Sequence, residues 1–284
     1  MKFGIREVTD IVFKAKVTGQ QVGQSTYAAG VPVMVVDSAK MSSLENAVTT
    51  VYAQGGKGNP RLLAWDGDRT ATFKFEESII TTDGLAIISG SGIATGSTQM
   101  LRQQIQFTAN ATTYGAVPTL PSGATIAYLA GGASGGATVA GATFNLITLD
   151  ATGDISGVTT FVPTNQTGAT FTVPSVVSGT KYIVDFYVVT TGKQLQVEAG
   201  RFAGYYYVEA NTLFRDLNGT DHPAQITIPK AKVKSNFTLT MSPTGDPTTF
   251  AFEIDALPDY TNFVTDKKVL YTLDISDATS NDFL

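Results

Sequence analysis

The sequence predicts a mainly β protein: an antiparallel β-sandwich or barrel with one flanking amphipathic helix and a β-rich insertion lobe. Two segments near the C-terminus, Lys232–Met241 and Thr248–Leu257, indicate this fold because apolar and polar side chains alternate along both. Such alternation is typical of strands that bury one face and expose the other. Ser242–Pro247 lies between them and is rich in residues that favour turns, which predicts a hairpin.

A third strand, Ala224–Ile228, precedes this hairpin, and Pro229 is expected to end it because proline offers no N–H to a β-ladder. The polar face of the predicted sheet has a row of lysines beside a row of acidic residues. These candidate interface residues are Lys230, Lys232, Lys234, Glu253 and Asp255. Complementary rows of charge suit a surface that binds copies of the same chain, and a solvated sheet face is the alternative.

The low charge and acidic balance of the chain limit its function. Of 284 residues, 15% are charged and the formal net charge is −5; an average soluble domain has roughly 25% charged residues. Proteins that grip phosphate backbones need clustered lysine and arginine, so such binding is not expected, whereas a channel through which nucleic acid slides is compatible. The absence of cysteine excludes disulfides and Cys-ligated metal sites.

No segment predicts secretion or membrane insertion. The N-terminal stretch has charges throughout and no apolar core, unlike a signal peptide. No run of about 18 apolar residues occurs, so no spanning helix is predicted. We therefore expect a soluble protein that is made and folded in a cytoplasm and has no membrane partner.

The spacing of apolar residues predicts an amphipathic helix over Ser43–Gln54, with a capping box at its start. The residues behind this prediction are Ser42, Leu44, Glu45, Val48 and Val51. A second, short helix is predicted over Gly84–Ser89, with Asp83 as its cap and Gly90 as its end.

A further hairpin is predicted around the Asp66-Gly67 pair, a strong signal for a tight turn. Its arms would be Arg61–Trp65 and Arg69–Glu76, and the glycine-rich Gly55–Pro60 before them would be a flexible loop.

The middle of the chain differs in composition. Residues 110–180 contain only two charged residues, Asp150 and Asp154, and short strand-like pieces separated by turn residues. This predicts a β-rich insertion lobe within a discontinuous main domain of residues 1–109 and 181–284. A long decorated hairpin of a single domain is the alternative.

The sequence predicts no enzyme and no catalytic, metal or cofactor site. His222 is the only histidine and stands beside a turn, where a structural or solvated role is favoured over catalysis. Pairs of aspartates, Asp66 with Asp68 and Asp150 with Asp154, lack the ligand spacing of a calcium loop.

Three consecutive tyrosines, Tyr205 to Tyr207, place aromatic rings on both faces of a predicted strand. A platform for carbohydrate is one interpretation. Burial of one face in the core and of the other in a subunit contact is favoured, because tyrosine is enriched at interfaces. Tyr205 and Tyr207 are therefore candidate interface residues.

The order of several segments resembles bacteriophage major tail tube proteins, in particular those of phages of Gram-positive bacteria. Asn59–Asp68 resembles the N-terminal half of these proteins. The segments that resemble the C-terminal half are Gly204–Glu209, Asn211–Asp216, Asp221–Lys230, Lys232–Met241 and Gly245–Leu257.

The resemblance implies hexameric rings that stack into a tube, whose lumen passes DNA as cargo during ejection. It implies a virion tail component, assembled in the host cytoplasm, with the tail sheath, baseplate and tail terminator as further partners. Lys57 and Asn59, in the Gly55–Pro60 loop, and the chain ends Met1–Thr9 and Asp274–Leu284 are candidates for contacts between rings. A capsid decoration protein and an Ig-like surface adhesin are the alternative functions.

Overall fold

The computed structural model describes residues 2–5, 9–23, 25–79, 81–116, 125–128, 137–138, 144–162, 164–167, 170–239 and 249–277. The chain forms two compact units, residues 1–93 with 195–284, and residues 94–194. We call them the first and the second unit.

The described residues of the first unit form eleven strands and one helix. In chain order they are β1 (Phe3–Ile5), β2 (Asp10–Ala15), β3 (Gln20–Val22), β4 (Ser25–Tyr27), β5 (Pro32–Val36), β6 (Ala39–Gln54), β7 (Arg61–Glu77), α1 (Thr82–Ser89), and then, after the second unit, β17 (Tyr205–Asp216), β18 (Asp221–Val233), β19 (Phe250–Ala256) and β20 (Thr272–Ile275). Nine strands form one sheet in the order β5-β2-β17-β18-β19-β7-β6, with β1 also paired to β17 and β20 to β18. The strand pairs of this sheet are antiparallel, so the mainly β fold is confirmed.

The sheet curls around its core. Strands β5 and β6 stand at opposite ends of the strand order, yet only Asp37 and Ser38 connect them. The edges of a strongly curled sheet can approach in this way, as in a barrel. The core contains Phe13, Phe75 and Phe252 from three different strands, and the last two rings stack 4.7 Å apart.

The helix predicted over Ser43–Gln54 is wrong, because these residues belong to β6 and pair with β7 along its length. The two residues of the expected capping box have other partners. Ser42 Oγ accepts a hydrogen bond from the Thr9 backbone N–H, 3.4 Å away, and Glu45 pairs with Lys74 at 2.9 Å. The β-branched residues from Val48 to Val51 favour a strand.

The hairpin predicted around Asp66-Gly67 is also wrong, since β7 passes through both residues without turning. The pair lies beside a β-bulge, where two residues of β7 oppose Thr49 alone. A Cβ on Gly67 would approach Thr49 Oγ1 to 2.8 Å, which explains the glycine. The chain turns instead at the predicted loop Gly55–Pro60, between β6 and β7.

Pro229 does not end its strand, because β18 continues to Val233. The register shifts there: Val208 pairs with Ile228, whereas Tyr206 pairs with Ala231, so β18 has one extra residue. Proline is tolerated at such a bulge because no ladder N–H is required of it.

The predicted C-terminal hairpin is found in part. Lys232 and Val233 pair with β19, but the first strand ends at Val233 rather than Met241. Met241 and the predicted turn Ser242–Pro247 lie outside the described residues.

The short helix predicted over Gly84–Ser89 is present as α1. Its cap is Thr81, whose Oγ1 accepts a hydrogen bond from the Gly84 backbone N–H at 3.1 Å, and not Asp83. Gly90 ends it in the left-handed conformation with φ 67°.

In the part that the structure describes, the second unit has two sheets and its own core. Its strands are β8 (Ile93–Thr108), β9 (Tyr114–Ala116), β10 (Thr125–Tyr128), β11 (Ala137–Thr138), β12 (Phe144–Leu149), β13 (Ile155–Phe161), β14 (Thr164–Thr167), β15 (Thr170–Val173) and β16 (Lys181–Leu195). One sheet has the order β11-β10-β16-β12-β13 with β8 beside β16, and the other has the order β14-β15-β9. This unit exceeds residues 110–180 at both ends, because β16 pairs with β12.

Candidate assembly surface

The far half of the β6–β7 hairpin lies outside the core. We call this half, residues 49–69, the hairpin arm. Its side chains are exposed on both faces, except for half-buried Ala53 and Gly55. The near half of the same hairpin instead buries Ala71, Phe73 and Phe75.

One face of the arm is apolar. Val51 pairs directly with Trp65, and Ala53 with Leu63, so the four side chains share a face. We call these four residues the apolar strip. Exposure is 62% for Val51, 60% for Leu63 and 55% for Trp65. Large apolar groups concentrated on a surface indicate a binding site, and tryptophan is among the residues that contribute most to interfaces.

Two charged side chains of the arm, Arg61 and Asp66, lie on the other face. Arg61 lies over the Tyr52 ring, 4.1 Å from its centroid, and Thr50 donates a hydrogen bond to Asp66 at 3.3 Å. The apolar strip therefore contains no charge that would have to be desolvated when it binds.

Two predicted interface residues, Lys57 and Asn59, lie at the tip of the arm and are exposed. Asn59 has a left-handed backbone, with φ 51°, and its Nδ2 donates to Gln54 Oε1 at 3.1 Å. The fold thus places both residues beside the apolar strip, which the sequence prediction missed.

The sheet offers two open edges. Among the described strands none pairs with the outer edge of β5 or of β6, since these strands end the strand order. Open edges tend to pair with strands of other chains. The β6 edge runs 16 residues and continues into the arm.

The predicted charge row is paired within the chain. Lys234 Nζ lies 2.7 Å from Glu253 Oε1 and 3.3 Å from Asp255 Oδ1. The hydrogen bond from Lys234 lowers the pKa of Glu253, and its bond to Glu253 raises the pKa of Lys234. Lys234 therefore already has acidic partners within a single subunit.

The bulge at Pro229 determines where the other two lysines point. It moves the core-facing position from Ile228 to Ala231, so Lys230 and Lys232 share the opposite face. Both ammonium groups lie over the ring of Tyr205, at 5.0 and 5.3 Å from its centroid. Lys232 Nζ also donates a hydrogen bond to the backbone carbonyl of Ala203.

The two candidate tyrosines have different surroundings. Tyr205 is exposed, whereas Tyr207 is only 6% exposed. Burial raises the pKa of the Tyr207 phenol. Lys16 covers the ring of Tyr207 at 5.9 Å while its Nζ pairs with Asp259 at 2.9 Å. Tyr207 is thus covered by its own chain.

In the part of the chain that the structure describes, histidine and acidic side chains form no group of three or more that could hold a metal ion. None of the described helices is long and apolar enough to cross a membrane.

A mainly antiparallel fold with an exposed apolar hairpin and open sheet edges is typical of structural subunits that bind one another. The chain belongs to the YomU/Tube protein family, whose model matches residues 3–268. This match confirms the resemblance to phage tail tube proteins and identifies a structural component of a phage tail. Membership of a tube family implies a structural rather than an enzymatic role. No curated protein matches the chain.

Proposed function

We propose that the chain is the major tail tube subunit and that its copies form stacked hexameric rings around a lumen through which DNA passes during ejection. The observation that carries this proposal is the hairpin arm. It presents the apolar strip to solvent, and a second copy of the chain supplies the surface that covers it.

Burial of the apolar strip against a second copy would stabilise the contact between them. Complete burial of a valine or leucine side chain contributes about 1.5–3 kcal/mol. The same contact recurs at every subunit of a polymer, so modest contacts per copy suffice for a stable tube.

The open edges support a ring. If β6 of one copy pairs with β5 of the next, each sheet continues into its neighbour, and closure of the ring leaves no free edge. The resulting assembly would be cyclic.

The charges fit a lumen that releases DNA. Lys234 and Lys16 are each held by acidic partners, and the chain has a net charge of −5. An acidic surface repels phosphate, so DNA slides past without binding. DNA is therefore cargo and not a ligand.

The remaining features of the proposal concern the tail as a whole. The main domain holds the tube contacts, and the insertion lobe is peripheral to them. Assembly takes place in the host cytoplasm, and the sheath, baseplate and tail terminator are further partners.

Negative-stain electron microscopy at high protein concentration tests the proposal. We expect hollow tubes or six-fold rings from the wild type, and dispersed folded subunits from the double variant Leu63→Ser/Trp65→Ser. Phe263→Ser is the matched control, because it removes an apolar side chain that is 86% exposed but lies outside the arm; it should assemble.

Two results contradict the proposal. Wild-type subunits that stay monodisperse at every concentration argue against self-assembly. Normal tubes from the double variant argue against the arm as the contact.

A further inference from the structure

A groove of about 760 Å³ crosses the sheet at the end opposite the hairpin arm. It lies on the face that points away from Phe73 and Phe75, because side chains alternate along β7. Two rows of directly opposed residues on β6, β7 and β19 form its floor: Met41, Glu76 and Ala251 in one row, and Ser43, Lys74 and Glu253 in the next. Residues 235–238, which follow β18, form one wall. We call this site the basal groove.

The basal groove is acidic. The charged residues that line it are three glutamates and one lysine, with a formal charge of −2: Glu45, Glu76, Glu253 and Lys74. Two of the three carboxylates already have a cation beside them. Lys74 binds Glu45 at 2.9 Å, and Lys234 binds Glu253 at 2.7 Å.

The third carboxylate is available to a cation from outside. Among the described residues Glu76 has no ion-pair partner, and its one hydrogen bond comes from the Thr249 hydroxyl at 3.1 Å. Glu76 therefore keeps a full negative charge on the floor of the groove.

The tip of the hairpin arm has the complementary charge. Lys57 is the only charged residue of the Gly55–Pro60 loop. It stands between Gly56 and Gly58, where a Cβ would meet nothing within 4 Å, so the tip is narrow. The side chain of Lys57 is exposed, and none of the described acidic groups pairs with it.

The tip and the groove lie at opposite ends of one hairpin. Strands β6 and β7 pair from Ala39 and Glu77, beside the groove, to Gln54 and Arg61, beside the tip. A strand advances about 3.3 Å per residue, so the arm carries the tip roughly 25 Å beyond the core. The two surfaces are therefore too far apart to meet within one subunit, whereas the tip of one copy can reach the groove of the next.

We propose that the hairpin tip of one copy binds the basal groove of the next, with Lys57 paired to Glu76. This inference rests on the proposed function, because it requires copies that associate. It adds the surface that receives the arm and the direction of the contact. A contact between two different surfaces is heterologous and repeats in one direction, as a stack requires.

The charges determine which ends meet. An exposed ion pair contributes little free energy by itself. Contact of a tip with a tip would instead oppose two lysines, and contact of a groove with a groove would oppose two acidic surfaces; both arrangements are repelled. The pair of Lys57 with Glu76 thus selects head-to-tail stacking.

Reversal of these charges tests the contact. Lys57→Glu and Glu76→Lys should each raise the protein concentration needed for sedimentable tubes about tenfold, because each places like charges together. The double variant Lys57→Glu/Glu76→Lys restores the pair with reversed polarity and should assemble at the wild-type concentration. Lys267→Glu is the matched control: it reverses an exposed lysine outside the hairpin and should also assemble as the wild type does.

A disulfide tests the same contact without relying on charge. The chain has no cysteine, so the double variant Lys57→Cys/Glu76→Cys introduces the only two thiols. Oxidation of its tubes should join successive copies into a covalent ladder longer than a dimer, whereas neither single cysteine variant should give a ladder.

Tubes from both single charge variants at the wild-type concentration would overturn the proposal. So would oxidised tubes of the double cysteine variant that yield no ladder. Either result leaves the proposed function standing, since tubes still form. A wild type that forms no tubes at any concentration would instead overturn the proposed function, and this contact with it.

Discussion

The near and far halves of the β6–β7 hairpin are built from the same two strands, yet one half is core and the other is surface. In the near half Phe73 and Phe75 alternate with polar residues and pack against other strands. In the far half Leu63 and Trp65 also share one face, but they remain exposed. The difference teaches that an apolar strand face is able to be buried, while the partner that buries it can be another copy of the chain.

The largest expected effect separates the two halves directly. Phe75→Ala should lower the free energy of unfolding by about 3–5 kcal/mol, because it leaves a cavity beside the stacked Phe252 ring. Trp65→Ala, its counterpart in the arm, should cost the single subunit less than about 1 kcal/mol. Urea denaturation of unassembled protein measures the loss of stability in both variants. Equal losses would contradict the division of the hairpin into a core half and a surface half.

The boundary between the halves gives the next effect. Gly67→Val should cost about 1–3 kcal/mol, because its side chain would overlap Thr49 at the bulge. Gly58→Ala at the tip of the arm is a useful comparison: its Cβ meets nothing, although its φ of 87° imposes backbone strain. The backbone amides of residues 49–54 should exchange faster in Gly67→Val than in the wild type. Unchanged exchange rates would show that the bulge does not require a glycine.

Glu77 ends the near half as a buried acid, 2% exposed, and burial raises its pKa above the ordinary value of 4.5. The folded state then binds the Glu77 proton more tightly than the unfolded state does. Ionisation of Glu77 therefore lowers the stability of the fold as pH rises above 4.5. Glu77→Gln should gain stability relative to the wild type as pH is raised from about 4 to 7. Glu76→Gln, on the other face of β7, is the control; parallel pH profiles for wild type and Glu77→Gln would refute the argument.

The smallest effect is expected beside the hairpin, at the ion pair of Lys234 with Glu253. Lys234→Met should change the free energy of unfolding by less than about 1 kcal/mol, since partly exposed pairs contribute little and are screened by salt. A loss of several kcal/mol in the free energy of unfolding that persists in high salt would contradict this prediction. It would show that the ion pair contributes more to stability than its partial exposure indicates.

The sequence predicted the core strands well and the hairpin arm poorly. Phe250, Phe252 and Ile254 recur at every second position, and this pattern has few structural solutions other than a strand with one buried face. Leu44 and Val48, in contrast, are four residues apart, so they share a face both in a helix and in a strand. Only the pairing with β7 decides between helix and strand, and that pairing cannot be predicted from the local sequence.

The candidate site was hidden for the same reason. Val51 and Trp65 become neighbours only when the chain turns at Gly55–Pro60 instead of at Asp66-Gly67. The charge row was visible in the sequence, but its alternation could not show that Lys234 finds its acidic partners within the chain. The resemblance to tail tube proteins identified the family without locating either feature.

Fluorescence of Trp65 tests the contact between copies most directly, because it is the only tryptophan of the chain and lies in the apolar strip. Emission should be that of a water-exposed indole in dilute subunits and should shift to the blue, with loss of iodide quenching, as tubes form. Tubes in which Trp65 keeps its exposed emission and its full quenching would contradict the account.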